Sequence, residues 1–242
     1  ERLKILGHAK VLDARDNADL ADQLCPSPEL RSKIERLFLI DVVSFDGVKA
    51  VDYLTPATMA LAVMSTSMVS LGIGTGFDRN YGVLKRLGAT PLGRGRWLAA
   101  KVATVATIEV GQVAMLGAVG AALGWRPPAT WPLGIVALAL GTAAFAGIGL
   151  ALAGALPALA NLAATNSVYL VLLLIGGMVV PLEKFPGPLA ALAHGLPAAS
   201  LSGLVITTMG PEKFATGPLW LVLTLWAIGA PLVAAKTFRW DG

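Results

Sequence analysis

Cysteine, histidine and charge are the scarce features of this chain. The single cysteine, Cys25, excludes an internal disulfide framework and a cysteine-rich metal site. The two histidines, His8 and His194, lie far apart and make poor zinc ligands, so no metal site is expected. Charged residues are 14% of the 242, against about 25% in a soluble domain. Between residues 102 and 235 there are only six: Glu109, Arg126, Glu183, Lys184, Glu212 and Lys213. So long a stretch with so little charge cannot clothe a water-facing surface. Three catalytic signatures are also missing. There is no phosphate-binding Gly-x-x-x-x-Gly-Lys-[Ser/Thr] loop, no Gly-x-Ser-x-Gly nucleophile turn and no His-Glu-x-x-His pair. The chain is therefore not expected to hydrolyse ATP or to be an enzyme, and no catalytic residue is assigned.

What the chain has is apolar length. Hydrophobic residues make up 55%, and the mean hydropathy is +0.70. Five stretches stand out: Ala57 to Phe77, Trp97 to Leu123, Pro132 to Ala155, Leu162 to Val180 and Pro218 to Ala235. Each has the length that crosses roughly 30 Å of hydrocarbon at about 1.5 Å per helical residue. The expected fold is all-α, a polytopic helical membrane protein with about five spans. Residues 1–54 differ, holding 8 basic and 10 acidic groups, and read as a separate polar segment ahead of a membrane domain over 55–242. Between the fourth and fifth stretches, Pro181, Pro186, Pro188, Pro197 and Pro211 punctuate a moderately apolar segment that includes His194. It predicts a re-entrant helical hairpin, which dips into the membrane where protein covers its broken backbone.

Charge sets the topology. The loop after the first stretch carries Arg79, Lys85, Arg86, Arg94, Arg96 and Lys101 against Asp78 alone. Such a loop faces the cytoplasm, which puts the tail with Lys236 and Arg239 there too. The net charge of +4 thus marks orientation and is not read as a nucleic-acid surface. Trp125, Trp131 and Trp220 fall at expected membrane interfaces. This orientation leaves residues 1–54 outside, and a further span upstream of them is expected.

The same loop is the most informative stretch. Val83, Leu84 and Leu87 share one face of a short helix, while Gly88 can end it and Pro91 forbids its continuation. That amphipathic helix lies either on a cytoplasmic partner, with the apolar residues as the contact, or on anionic lipid.

The run FDRNYGVLKRLGATPLGRGRWLAAK, residues 77–101, resembles the first cytoplasmic loop of type-2 ATP-binding-cassette (ABC) exporter permeases, in their daunorubicin-exporter-like branch. The resemblance continues in LTPATMALAVMSTSM before it, TIEVGQVAMLGAVGAALGW after it and GGMVVPLEKFPGPLAALAHGLPAASLSGL further on, and covers about residues 52–242. It implies a coupling helix over Tyr81, Val83, Leu84, Lys85, Arg86, Leu87, Gly88, Ala89, Thr90 and Pro91 that docks on a separate nucleotide-binding subunit. It also implies paired re-entrant helices around Pro181, Pro186, His194 and Pro197. ATP and magnesium would bind that subunit, with no cofactor on this chain. A second permease copy and membrane lipid are the other partners implied, in a bacterial inner membrane. The family's interface helix and first span are not recognisable in residues 1–54, so a sixth, N-terminal span is expected to be missing.

Glu109 lies near the middle of its stretch, where an ionisable group needs a partner or water, and Gln112 shares its face. The two either line a transport path or join helices. Asn166 and Tyr169, with Asn161, pose the same choice in the fourth stretch. Gly72 and Gly76 form a small-xxx-small pair suited to close helix packing, and Gly147, Ala151 and Ala155 suggest a second ridge. The implied activity is export of an amphipathic drug, lipid or glycan precursor. A membrane-embedded lipid-modifying enzyme would need Asp, His or Ser groups clustered at one depth. A non-catalytic scaffold is the remaining alternative.

Overall fold

The computed structural model describes residues 50–88, 93–178, 186–210 and 216–238. Residues 1–49, Ala89, Thr90, Pro91 and Pro181 lie outside the described residues, as do Glu183 and Lys184. The chain divides into units over Glu1–Ala50 and Val51–Gly242. The description that follows is of the second.

Among the described residues there are helices and turns and no strand. Five helical segments are long and apolar enough to cross a membrane, at Val51–Asn80, Gly95–Ala122, Trp131–Ala155, Ala158–Ile175 and Thr216–Thr237. These are the first to fifth spans. The first is built of α1 (Ala50–Met64), a π-helical insert (Ser65–Ser70) and α2 (Leu71–Asn80). A short helix α3 (Val83–Gly88) follows, then α4 (Gly93–Ala122), α5 (Trp131–Ala155), α6 (Ala158–Ile175), α7 (Gly187–His194), α8 (Pro197–Met209) and α9 (Thr216–Thr237).

Two boundaries differ from the hydropathy reading. The first span starts at Val51, so residues 51–54 belong to it and not to the polar segment. The fourth begins at Ala158, directly after Pro157, whose missing N–H costs nothing ahead of a first turn. It ends at Gly176, and Gly177 follows with φ 71°, a backbone conformation that stops the helix.

The third span is the centre of the bundle, and glycine lets its neighbours approach. A Cβ on Gly147 would lie 2.6 Å from the Ala230 carbonyl carbon and from the Pro231 ring in α9. On Gly149 it would lie 2.6 Å from the Met68 oxygen in the π insert, and on Gly154 2.7 Å from Phe238 Cα. The Gly72–Gly76 pair behaves as its spacing requires: a Cβ on Gly72 would lie 3.0 Å from the Gly149 backbone, and one on Gly76 would run into the Asn161 side chain. The second ridge is corrected. It runs through Gly147 and Gly154, two turns apart, because Ala155 is exposed. Between these crossings Met59, Met64, Met68, Phe145, Leu201, Leu204 and Leu223 close a core with at most 2% exposure.

α7 and α8 meet at 82°. Leu201 of α8 packs into Gly141, while Met209 packs into Gly134, two turns nearer the start of α5. α8 therefore climbs from mid-bundle back towards the end where α5 begins. Its 13 residues rise about 20 Å, short of the roughly 30 Å of a bilayer core. The two helices form a bent pair, as the proline spacing predicts, and α8 alone is too short to cross. The Ser202 hydroxyl donates to the Gly176 carbonyl at 2.8 Å, and the Trp226 indole donates to Gly195 at 3.0 Å, so the elbow is held from both sides. Pro186 precedes α7, His194 ends it exposed, and Pro197 is buried at the start of α8.

One aromatic expectation is also corrected. Trp131 is exposed and Trp220 half-buried, but Trp125 turns inward at 8% exposure. Its Nε1 donates to the Met209 carbonyl at 3.1 Å, a bond a lipid-facing indole would not make.

Candidate functional site

The basic loop closes one end of the bundle. Phe77 and Tyr81 stack at 6.0 Å between ring centroids as α2 runs out. Gly82 then turns the chain at φ 70°, a value that disfavours any side chain, and α3 begins. The Arg86 N–H donates to the Gly82 carbonyl at 3.2 Å.

Among the described side chains of α3, apolar and cationic residues fall on separate faces as expected, and Leu84 turns to its own chain. Leu84 is 4% exposed and seats the helix on its own chain, and Val83 is half-buried. Tyr81 at 68%, with Lys85 and Arg86, forms the exposed face. The apolar residues read as the partner contact thus include an anchor, and the cations form the free surface. Helical spacing alone shows that a stripe exists; it does not show that the stripe's own spans cover it.

Three contacts brace the base of this loop. The Lys101 ammonium pairs with the Asp78 carboxylate, tying the second span to the first, and lies 5.3 Å from the Trp97 ring centroid. Arg79 donates from Nη1 to the Gly154 carbonyl at 2.5 Å and from Nη2 to the Leu156 carbonyl at 2.6 Å. Those carbonyls end the third span, where helix geometry leaves acceptors unpaired. Asn161, fully buried, donates to the Gly72 carbonyl at 2.9 Å. Sequence reading counted Arg79 only as a topology charge. Its position one turn before the loop was the only signal, and its partners lie more than seventy residues away.

A second polar group sits in the middle of the spans. Glu109 is 5% exposed. The Thr142 hydroxyl donates to its Oε2 at 2.5 Å, while Oε1 is buried with no hydrogen-bond partner among the described residues. One turn on, Gln112 Oε1 accepts from the Thr66 hydroxyl at 3.0 Å. Together these join the second span to the third and to the π insert of the first. Asn166 and Tyr169 are not brought to this cluster. Asn166 is exposed and donates to the Leu162 carbonyl of its own helix at 2.9 Å, and Tyr169 is half-buried beside the core. No group of three or more His, Cys, Asp or Glu that could hold a metal occurs among the described residues.

No curated protein matches the chain. The family model described as ABC-2 type transporter matches residues 34–209, well over half of the sequence. The match spans the first four spans, the basic loop and the bent α7–α8 pair. The chain is a multi-pass membrane protein, and it belongs to the ABC-2 type transporter family as a permease subunit of an ABC transporter, a membership that implies association with an ABC ATPase.

Proposed function

We propose that this permease is the membrane half of a daunorubicin-exporter-like ABC exporter. It moves an amphipathic drug, lipid or glycan precursor out of a bacterial cell, with ATP and magnesium bound to the partner ATPase. The basic end of the bundle then faces the cytoplasm, together with the C-terminus. Two permease copies pair to complete the pathway. The observation that supports this reading is α3: a short helix with an exposed cationic face, braced by Arg79 and by the Asp78–Lys101 pair. A helix so held can pass a displacement to the spans instead of bending under it. Co-expression with an ABC ATPase tests the reading. The ATPase should co-purify with the permease in detergent, and its absence from the purified complex would leave a scaffold role.

Glu109, Gln112, Thr66 and Thr142 are the polar lining proposed for the path. Glu109→Gln keeps the shape and can still bond Thr142, but it removes the carboxylate. In cells, the variant should assemble normally and lose roughly tenfold in export of a fluorescent amphipathic dye, the order expected when one charge-assisted contact is lost. Unchanged export would leave Glu109 as a link between helices.

A further inference from the structure

The spans are not held to one another equally. At the basic end the first span is fastened to the third and fourth by three contacts. The Arg79 guanidinium spans two carbonyls of the α5–α6 turn, the backbones of Gly72 and Gly149 touch, and the Asn161 amide grips the Gly72 carbonyl. The Arg79 bonds are charge-assisted and lie at the negative end of a helix dipole, and a planar fork holds two acceptors as a single ammonium cannot. The second span is different. Only 11% of its most apolar window is buried, against 56% for the first span and 50% for the third. Its polar links are the partly exposed Asp78–Lys101 pair, Glu109–Thr142 and Gln112–Thr66, and its apolar packing includes Val105 in a buried cluster with Leu71 and Gly120 against Thr55. α3 joins the firmly held helix to the loosely held one.

We propose that Arg79 is a positioning residue that locks the first, third and fourth spans into one unit at the basic end, so that movement of α3 is delivered to the second span. The proposal rests on α3 being the point where the ATPase acts. Without Arg79, the same push would be spent in swinging α2 away from the α5–α6 turn.

Spin labels read this directly. In a Cys25→Ser background in lipid nanodiscs, one pair is placed at Asn80 and Leu159 and a second at Ala99 and Leu159, all exposed positions. In the chain alone, the Asn80–Leu159 distance distribution should be narrow, and Arg79→Gln should roughly double its width without changing the Ala99–Leu159 width. Arg79→Lys, which keeps the charge and one bond, should fall between. In complex with the ATPase, vanadate trapping should shift Ala99–Leu159 and leave Asn80–Leu159 in place. Arg79→Gln should move that shift onto Asn80–Leu159. A residue that merely stabilised the fold would lower the melting temperature yet leave both distributions of the folded protein as they were, and that result overturns the proposal. So does an Asn80–Leu159 pair that shifts in the unsubstituted complex as far as Ala99–Leu159. Should Arg79→Gln not fold, the Arg79→Lys widths decide by themselves. If the unsubstituted complex shows no nucleotide response while the chain-alone widths behave as stated, the coupling reading of α3 falls and the locking role of Arg79 stands.

Discussion

Lys85→Glu combined with Arg86→Glu should abolish co-purification of the ATPase while leaving the permease folded. Both side chains are exposed on α3, so reversing them removes no packing from the chain itself. Leu84, which seats the helix, is untouched. An exposed cationic helix docks best on an acidic surface, and against such a surface two reversed charges turn attraction into like-charge contact, at a cost of several kcal/mol. Binding should therefore weaken by on the order of a thousandfold or more. Pull-down from detergent measures it, and melting temperature in the absence of partner shows whether the fold survives. Arg79, Arg94, Arg96 and Lys101 keep the loop's basic character, so the topology signal persists. The alanine pair should weaken binding less than the glutamate pair. Salt should weaken the unsubstituted complex, because exposed charges are screened. Full co-purification of the glutamate pair would show that α3 is not held by charge. Partner binding would then have to rest on the residues that the helix buries.

Gly149→Val should be among the most damaging single substitutions in the membrane core. A Cβ there falls 2.6 Å from the Met68 oxygen, 3.2 Å from Met68 Cα and 3.3 Å from Gly72 Cα. All three are backbone atoms, so no side chain can swing aside. The helices must part, and parting them also pulls Asn161 from the Gly72 carbonyl. Overpacking costs about 1–3 kcal/mol and more where backbone must shift, and in lipid no hydrophobic force repays it. The expected result is a large fall in melting temperature in detergent, with most of the protein failing to purify. Gly111→Ala is the matched control. Nothing lies within 4 Å of its added Cβ, and alanine favours a helix by about 1 kcal/mol over glycine. A Gly149→Val protein as stable as Gly111→Ala would mean that the crossing of the first and third spans is looser than its geometry.

These two expectations draw on different kinds of legibility. The five spans could be read from composition, because a bilayer imposes one length and one polarity on every crossing helix. The bent pair could be read from proline spacing, since Pro186 and Pro197 favour helix starts and breaks. Gly72 and Gly76 announced a close crossing by their separation alone. Which helix they would meet was not written locally: Gly149 lies 77 residues beyond Gly72, and nothing in its neighbourhood names Gly72. Leu84 shows the same gap in the site. Its apolar character and spacing were visible, but whether partner or own chain covers it depends on where α2 and α4 come to rest. Trp125 was placed at a membrane interface by its type, and the structure turned it inward because the Met209 carbonyl offered its indole N–H a partner.

The sequence by itself determined that this protein lives in a membrane, where its five long apolar helices lie among the described residues and which loop is basic. Those properties are sums over local residues, and the solvent enforces them one segment at a time. The tertiary structure decided what the charges of that loop do. Arg79 and Lys101 became braces, Lys85 and Arg86 were left exposed, and Glu109 found Thr142. Each outcome is a pairing between distant segments, fixed only when glycine-lined helices pack closely enough to bring donor and acceptor within bonding distance.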